Sequence, residues 1–134
     1  MCFTKLLYKT LRFNTKKLKL GKKTINVLIA DSFFKQMLGL MHRKSLGKDQ
    51  GMLFIFGRSS KYGIWMLNME FSIDILWLDS NLKIIDTLEN AKPCNSLIRC
   101  KTYYPKFSSK YVLEVSSGFI KNNNITSSTK IGLI

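Results

Sequence analysis

The alternation of apolar and polar positions predicts a mostly stranded chain. Thr24–Ala30 is β-branched and partly alternating, the signature of a strand, with Leu18–Leu20 as a hairpin partner across Gly21-Lys22. Asp31 or Ser32 then offers an N-cap, and a helix follows that directs Phe33, Phe34, Met37, Leu40 and Met41 to the core and Lys35 and Gln36 outward, ending near His42-Arg43. Met52–Phe56, Tyr62–Asn68 and Ile73–Asp79 read as further strands, and Leu82–Leu88 returns after a Ser80-Asn81 turn. Residues 90–110 contain both prolines and read mostly as loop. Tyr111–Val115 is a strand, 117–122 a helical turn and 130–134 a closing strand. The expected fold is a single α+β domain, a mostly antiparallel or mixed β-sheet curled toward a barrel, with one main packed helix.

Length and charge refine this picture. A chain of 134 residues is one domain's worth. The net charge of +14 is uneven: residues 1–23 carry eight of the 22 Lys and Arg and no acid, leaving fourteen bases against eight acids in 24–134. The expected division is a basic N-terminal arm, 1–23, and a domain, 24–134. Within the arm, residues 3–13 form a basic amphipathic helix, with Phe3, Leu6, Leu7 and Leu11 on one side. It either packs on the domain or makes a weak contact with an anionic membrane or nucleic acid through Lys5, Lys9, Arg12, Lys16, Lys17 and Lys19. No apolar run approaches the roughly 20 residues that cross a bilayer. Positive charges break every early apolar run before it reaches signal-peptide length, so a cytoplasmic protein is expected rather than an exported one.

Four phrases occur in order: Gly39-Leu40-Met41-His42-Arg43, Gly51-Met52-Leu53-Phe54, Trp65-Met66-Leu67-Asn68 and Asp74-Ile75-Leu76-Trp77-Leu78-Asp79. With Ala30-Asp31, Ala91-Lys92-Pro93 and Val112-Leu113-Glu114 they resemble the domain of unknown function 192 family over roughly residues 24–133. The chain departs from the family pattern at Gln36 (an Arg), Met69 (a Thr) and Ser128-Thr129 (Gly-Asp). The resemblance implies a small α+β domain and no particular chemistry.

Candidate chemistry comes from polar residues that interrupt apolar strand faces. Asp74 shares a face with Leu76 and Leu78, Glu114 with Val112, and Asn68 with Ile64 and Met66. Burying such a group unpaired costs roughly 2–7 kcal/mol, so each should find a partner, with Arg43, Asn68 and the Trp65 indole N–H as available donors. Three readings follow. In the first, Arg43 ties a carboxylate within a structural network. In the second, Arg43, Trp65, Asn68, Asp74 and Glu114 line a pocket for a small polar ligand. In the third, Asp74 and Glu114 form the acid/base pair of a hydrolase. A non-enzymatic binding or structural module is the preferred function. Three cysteines and a single His suggest no metal site, and no cofactor motif is present. A Cys94–Cys100 bridge is sterically allowed but nothing requires it, and free thiols are expected. Met37, Met41, Met52, Met66 and Met69 read as core packing.

Overall fold

A computed structural model describes residues 2–134. Its strands are β1 (Thr15–Leu20), β2 (Lys23–Ala30), β3 (Gln50–Ser60), β4 (Ile64–Trp65), β5 (Ile73–Leu78), β6 (Ile84–Ala91), β7 (Thr102–Tyr103), β8 (Ser109–Ser116) and β9 (Ile131–Leu133). Its helices are α1 (Phe3–Thr10), α2 (Phe33–Leu38) and α3 (Phe119–Asn122). Seven strands form one curled sheet in the order β6-β5-β8-β3-β2-β1-β9, while β4 and β7 pair separately. All pairs are antiparallel except β2 with β3, which α2 connects. This mixed α+β half-barrel is the expected fold class.

The sheet is apolar on both faces at its centre. Leu53, Leu76, Leu113 and Val115 join Leu18, Leu20, Val27 and Ile29 in one core, closed by Phe119, Ile120 and Ile125. Met52, Phe54, Ile73, Ile75, Trp77 and Val112 form a second core with Leu40, Met66 and Met69. Every residue of β5 is buried, which explains its unbroken apolar run around Asp74. The Trp77 indole N–H donates to the Tyr62 carbonyl at 2.8 Å, so the largest core side chain keeps its polar atom satisfied.

Several elements differ from the sequence reading. The expected 1–23 arm is divided: positions 15–20 and 23 belong to the sheet, with Leu18–Leu20 pairing β2 as the hairpin reading has it, β1 pairing β9 as well, and Leu18 and Leu20 fully buried. Helix α1 takes the packed alternative of the sequence reading: Leu7 lies against Leu38, Met41 and Leu67, and Phe3 meets Phe34 edge-on. Helix α2 stops at Leu38, with the Ser32 hydroxyl capping its start at the Lys35 amide. It buries Leu38, while Phe33 and Phe34 in its first turn are exposed. The 62–68 segment is strand only at Ile64–Trp65. Beyond it the backbone turns and is held by Cys94, whose N–H donates to Met66 O and whose O accepts from Asn68 N.

Cys94 and Cys100 form a disulfide, correcting the free-thiol expectation. The chain doubles back at Ser96–Cys100, which brings the two Cα atoms to 5.7 Å, inside bonding range. The bridge closes the 94–100 loop onto Cys94, whose backbone is bonded to Met66 and Asn68 after β4. From a loop closed over six residues, chain entropy gives a contribution of about 2 kcal/mol. Cys94→Ser should lower unfolding free energy by about that amount under oxidising conditions, and thiol reductant should lower the wild type equally. Indifference of the wild type to reductant would show that the bridge contributes nothing.

Candidate functional site

The motif glycines have backbone reasons. Gly39 ends α2 at φ +51°, ψ −133°, and a Cβ there would lie 3.3 Å from the Phe54 ring. At Gly51 a Cβ would meet the Glu114 carbonyl oxygen at 2.9 Å, so only glycine lets β3 lie this close to β8. Asn68 holds a left-handed φ of 59°, and its carbonyl accepts from His42 N. The Gly-Leu-Met, Gly-Met-Leu-Phe and Trp-Met-x-Asn phrases thus shape one region: the end of α2, the start of β3 and the turn after β4.

Between these segments is a cleft of about 150 Å³. Gln36 to Met41 form one wall, Ile64, Trp65 and Met69 another, and Phe54 and Glu114 line it from the sheet. Gln36 anchors the helix wall by donating to Ala30 O at 3.2 Å and Ile55 O at 2.8 Å. The position where the family pattern has Arg is therefore used here to tie α2 to the sheet. Trp65 is 43% exposed, with its ring at the cleft. Wider depressions of about 520 Å³ beside Gly21 and Asn122–Asn124 and about 710 Å³ along β9 contain no buried ionisable group.

Glu114 is the unusual residue of the cleft. It lies mid-β8, opposite Met52 on one neighbour and Ile75 on the other, and is 4% exposed. No described group donates a hydrogen bond to its carboxyl, and no described cation pairs with it. Burial pushes its pKa up from 4.5 to about 8, so at neutral pH the carboxyl holds its proton.

The other predicted residues are elsewhere. β5 and β8 pair with Asp74 opposite Val115 and Ile75 opposite Glu114. Side chains alternate, so the two carboxylates point to opposite faces of the sheet. The acid/base pair is therefore corrected: no single substrate can lie between them. Asp74 instead accepts from Asn90 N at 2.9 Å and from Ile120 N at 3.0 Å, fastening β6 and the first turn of α3 to β5. Arg43 does not cap either carboxylate. Its guanidinium lies 6.0 Å from the Tyr8 ring centroid and 5.8 Å from that of Phe13, holding the N-terminal segment down by cation–π contact. Asn68 Nδ2 reaches only Met41 Sδ, at 3.9 Å. Of the five proposed pocket residues, Trp65 and Glu114 line this cleft. The sequence reading missed Gln36, Gly39 and Phe54, although two of the motif phrases contain Gly39 and Phe54.

His42 follows in the same turn, bonded through Nε2 to the Thr4 hydroxyl at 2.8 Å. Burial first, and Lys5 second, lower its pKa. The exposed aromatics Phe3, Phe33 and Phe34 cluster on α1 and α2, with neighbouring ring centroids 5.4–5.9 Å apart. Among the described residues no group of three or more potential metal ligands is gathered, and no helix is long and apolar enough to cross a membrane.

Two expectations follow. Asp74→Ala strands two backbone N–H groups and should cost about 3 kcal/mol in urea unfolding, while leaving the Trp65 cleft intact in the folded protein. A cost under about 0.5 kcal/mol would contradict the fastening role. For Glu114, the folded pKa lies above the unfolded one, so its stabilising contribution is full below about pH 4.5 and is lost as pH rises through about 8. Thermal and urea unfolding from about pH 5 to about pH 9 should therefore show declining wild-type stability, with a bound on the order of 5 kcal/mol, and a flatter profile for Glu114→Gln. Parallel profiles for the two proteins would contradict the burial of an unpaired carboxyl.

Comparison with known proteins fits this geometry. The family model DUF192, described as Uncharacterized ACR, matches residues 15–133 and so begins where β1 begins. A UPF0127 protein of Thermococcus sibiricus is 34% identical over 99 residues, covering 72% of this chain and 58% of that protein. One from Pyrococcus horikoshii is 35% identical over 97 residues, covering 69% of this chain and 73% of the relative. The chain thus spans little more than half of the Thermococcus relative's length. Among solved structures, a proposed transcription regulator from Sinorhizobium meliloti 1021 superposes with a TM-score of 0.85 at 25% identity, covering 92% of this chain and 96% of that one. A protein of unknown function from Novosphingobium aromaticivorans gives 0.81 at 18% identity, covering 94% and 96%, and shows the shared fold alone. Matched from β1 to β9 by one family model, and by relatives at a third identity, the chain belongs to the DUF192 (UPF0127) family.

Proposed function

We propose that this protein is a non-enzymatic binding module whose site is the cleft between the end of α2, β4 and Glu114. The observation that carries the proposal is a buried, unpartnered carboxyl group facing an open cleft. A carboxyl placed there for packing alone would be less costly as an apolar side chain of similar volume. A ligand that supplies its missing hydrogen-bond partner removes that cost on binding. The half-exposed Trp65 offers an apolar platform with a polar edge, the usual composition of a small-molecule site. The volume suits a compact ligand, or one compact group of a larger one, since an engineered cavity of about 150 Å³ accepts benzene.

The hydrolase reading lacks the feature it needs. Glycosidic hydrolysis by two carboxyl groups requires both to flank one bond, about 5–10 Å apart in a common cleft. Asp74 is on the other face of the sheet, bonded to two backbone amides.

The test is a fragment screen by ¹⁵N-detected NMR on the full chain, with Trp65→Ala and Glu114→Gln as controls. Hits should shift the Trp65 indole and the Gly39 and Leu40 amides, and each substitution should weaken them about tenfold. Hits scattered over the surface, unaffected by either substitution, would overturn the cleft as the site. A hydrolytic activity abolished by both Asp74→Asn and Glu114→Gln would restore the rival reading.

A further inference from the structure

Resting on that reading, we infer that the cleft takes a small organic cation, an alkylammonium group or its equivalent, with its charged head on the Glu114 carboxylate and its apolar body against Trp65.

The inference starts from what surrounds Glu114. The cleft contains one acidic side chain and no basic one: α2 and the turn after it contribute Gln36 to Met41, Gly63 precedes Ile64 and Trp65 of β4, and Phe54 and Met69 complete the uncharged lining. Across the strand pairs Glu114 faces Met52 and Ile75. No titratable or charged group therefore faces this carboxyl from any element packed against it. Elsewhere the carboxylates of Asp31 and Asp49 are paired with Lys35 and Lys23. This one is enclosed by uncharged walls, so a positive charge arriving here would be supplied by the occupant.

Two other features of the cleft favour the same sign of charge. It receives the carbonyl end of α2, because the helix breaks at Gly39. Gly39 N takes the Lys35 carbonyl and Met41 N takes that of Leu38, leaving the Gln36 and Met37 carbonyls without those partners. Unsatisfied carbonyls at a helix C-terminus attract cations and repel anions. The carbons next to an ammonium nitrogen share its positive charge, so a chain seated on the Trp65 indole face gains part of a cation–π attraction of about 0.5–2 kcal/mol. A carboxylate ligand would meet an acid, a negative helix end and the negative face of a ring. A neutral alcohol would meet a protonated Glu114 without opposition and could pack its chain on Trp65, but would lack the charge–dipole attraction to the helix end.

Proton balance makes the inference specific. With its pKa at about 8, the empty carboxyl is mostly protonated at neutral pH. An ammonium ion binds the ionised form, so the carboxyl proton leaves to solvent as the ion pair forms. Near pH 7 about 0.9 proton is released per cation bound, and apparent affinity rises almost tenfold from about pH 6 to about pH 7, levelling above about pH 8. An alkylamine, with a pKa near 10.4, stays charged throughout that range. The net charge of +14 repels a cation at long range, so added salt should leave affinity unchanged or raise it.

The experiment uses n-butylammonium, 1-butanol and butyrate as a series of one shape and three charges. Each is titrated into the ¹⁵N-labelled full chain at about pH 6, about 7 and about 8, at low and physiological salt, and proton release is read by calorimetry in buffers of different ionisation enthalpy. The expected result is that n-butylammonium shifts the Trp65 indole and the Gly39 amide, releases protons and binds about tenfold tighter at the higher of the first two pH values. It should bind at least tenfold more weakly to Glu114→Gln. Should that variant fail to fold, Trp65→Ala and the wild-type pH series decide. Equal or tighter binding of butanol or butyrate at the same signals would overturn the cation but leave the cleft as a binding site. Binding of n-butylammonium without pH dependence would also overturn the inference. No binding by any of the three would remove both the inference and the reading on which it rests.

Discussion

Strand β8 is buried along its middle on both faces, and everything notable about this molecule follows from placing a carboxyl group there. The sheet that surrounds it is two apolar cores back to back. In such a sheet a polar side chain must either be satisfied by backbone or face an opening. Asp74 and Glu114, close in the sheet and opposite in direction, take the two different solutions. Asp74 becomes a structural acceptor for two amides. Glu114 has no such partner and lines the cleft, where burial holds it protonated.

The family phrases acquire a common physical reason in this arrangement. Gly51 lets β3 approach the backbone of the Glu114 residue, and Gly39 ends α2 where a side chain would press on Phe54. Asn68 turns the chain after β4 and holds the His42 amide. These residues contribute little chemistry themselves. They set the distance between a helix end, an indole and a carboxyl, which is how a fold positions a site by backbone geometry.

The strands were legible because periodicity and β-branching report burial directly: Thr24–Ala30 and Tyr111–Val115 lie within observed strands, and the expected Ile73–Asp79 overruns β5 by one residue. So was the oddity of Glu114 and Asp74, since each interrupts an apolar face. Their relation was not legible. Alternation gives the face of a residue within its own strand, but the register between β5 and β8 depends on the whole sheet, and a one-residue difference moves a side chain across it. Arg43 misled for a related reason: charge complementarity suggested a carboxylate, whereas the fold supplied two aromatic rings. The 62–68 strand failed because its apolar residues are buried by an irregular turn bound to Cys94, a tertiary contact invisible to local pattern.

The account depends on Glu114 being enclosed and without a partner in the ligand-free protein. The most direct measurement is the ¹³C titration of its side-chain carboxyl, assigned by comparison with Glu114→Gln. A midpoint near 8, well separated from the other carboxylates, is the predicted result. A midpoint near the ordinary value of 4.5 would show a solvated or paired carboxylate and contradict the account.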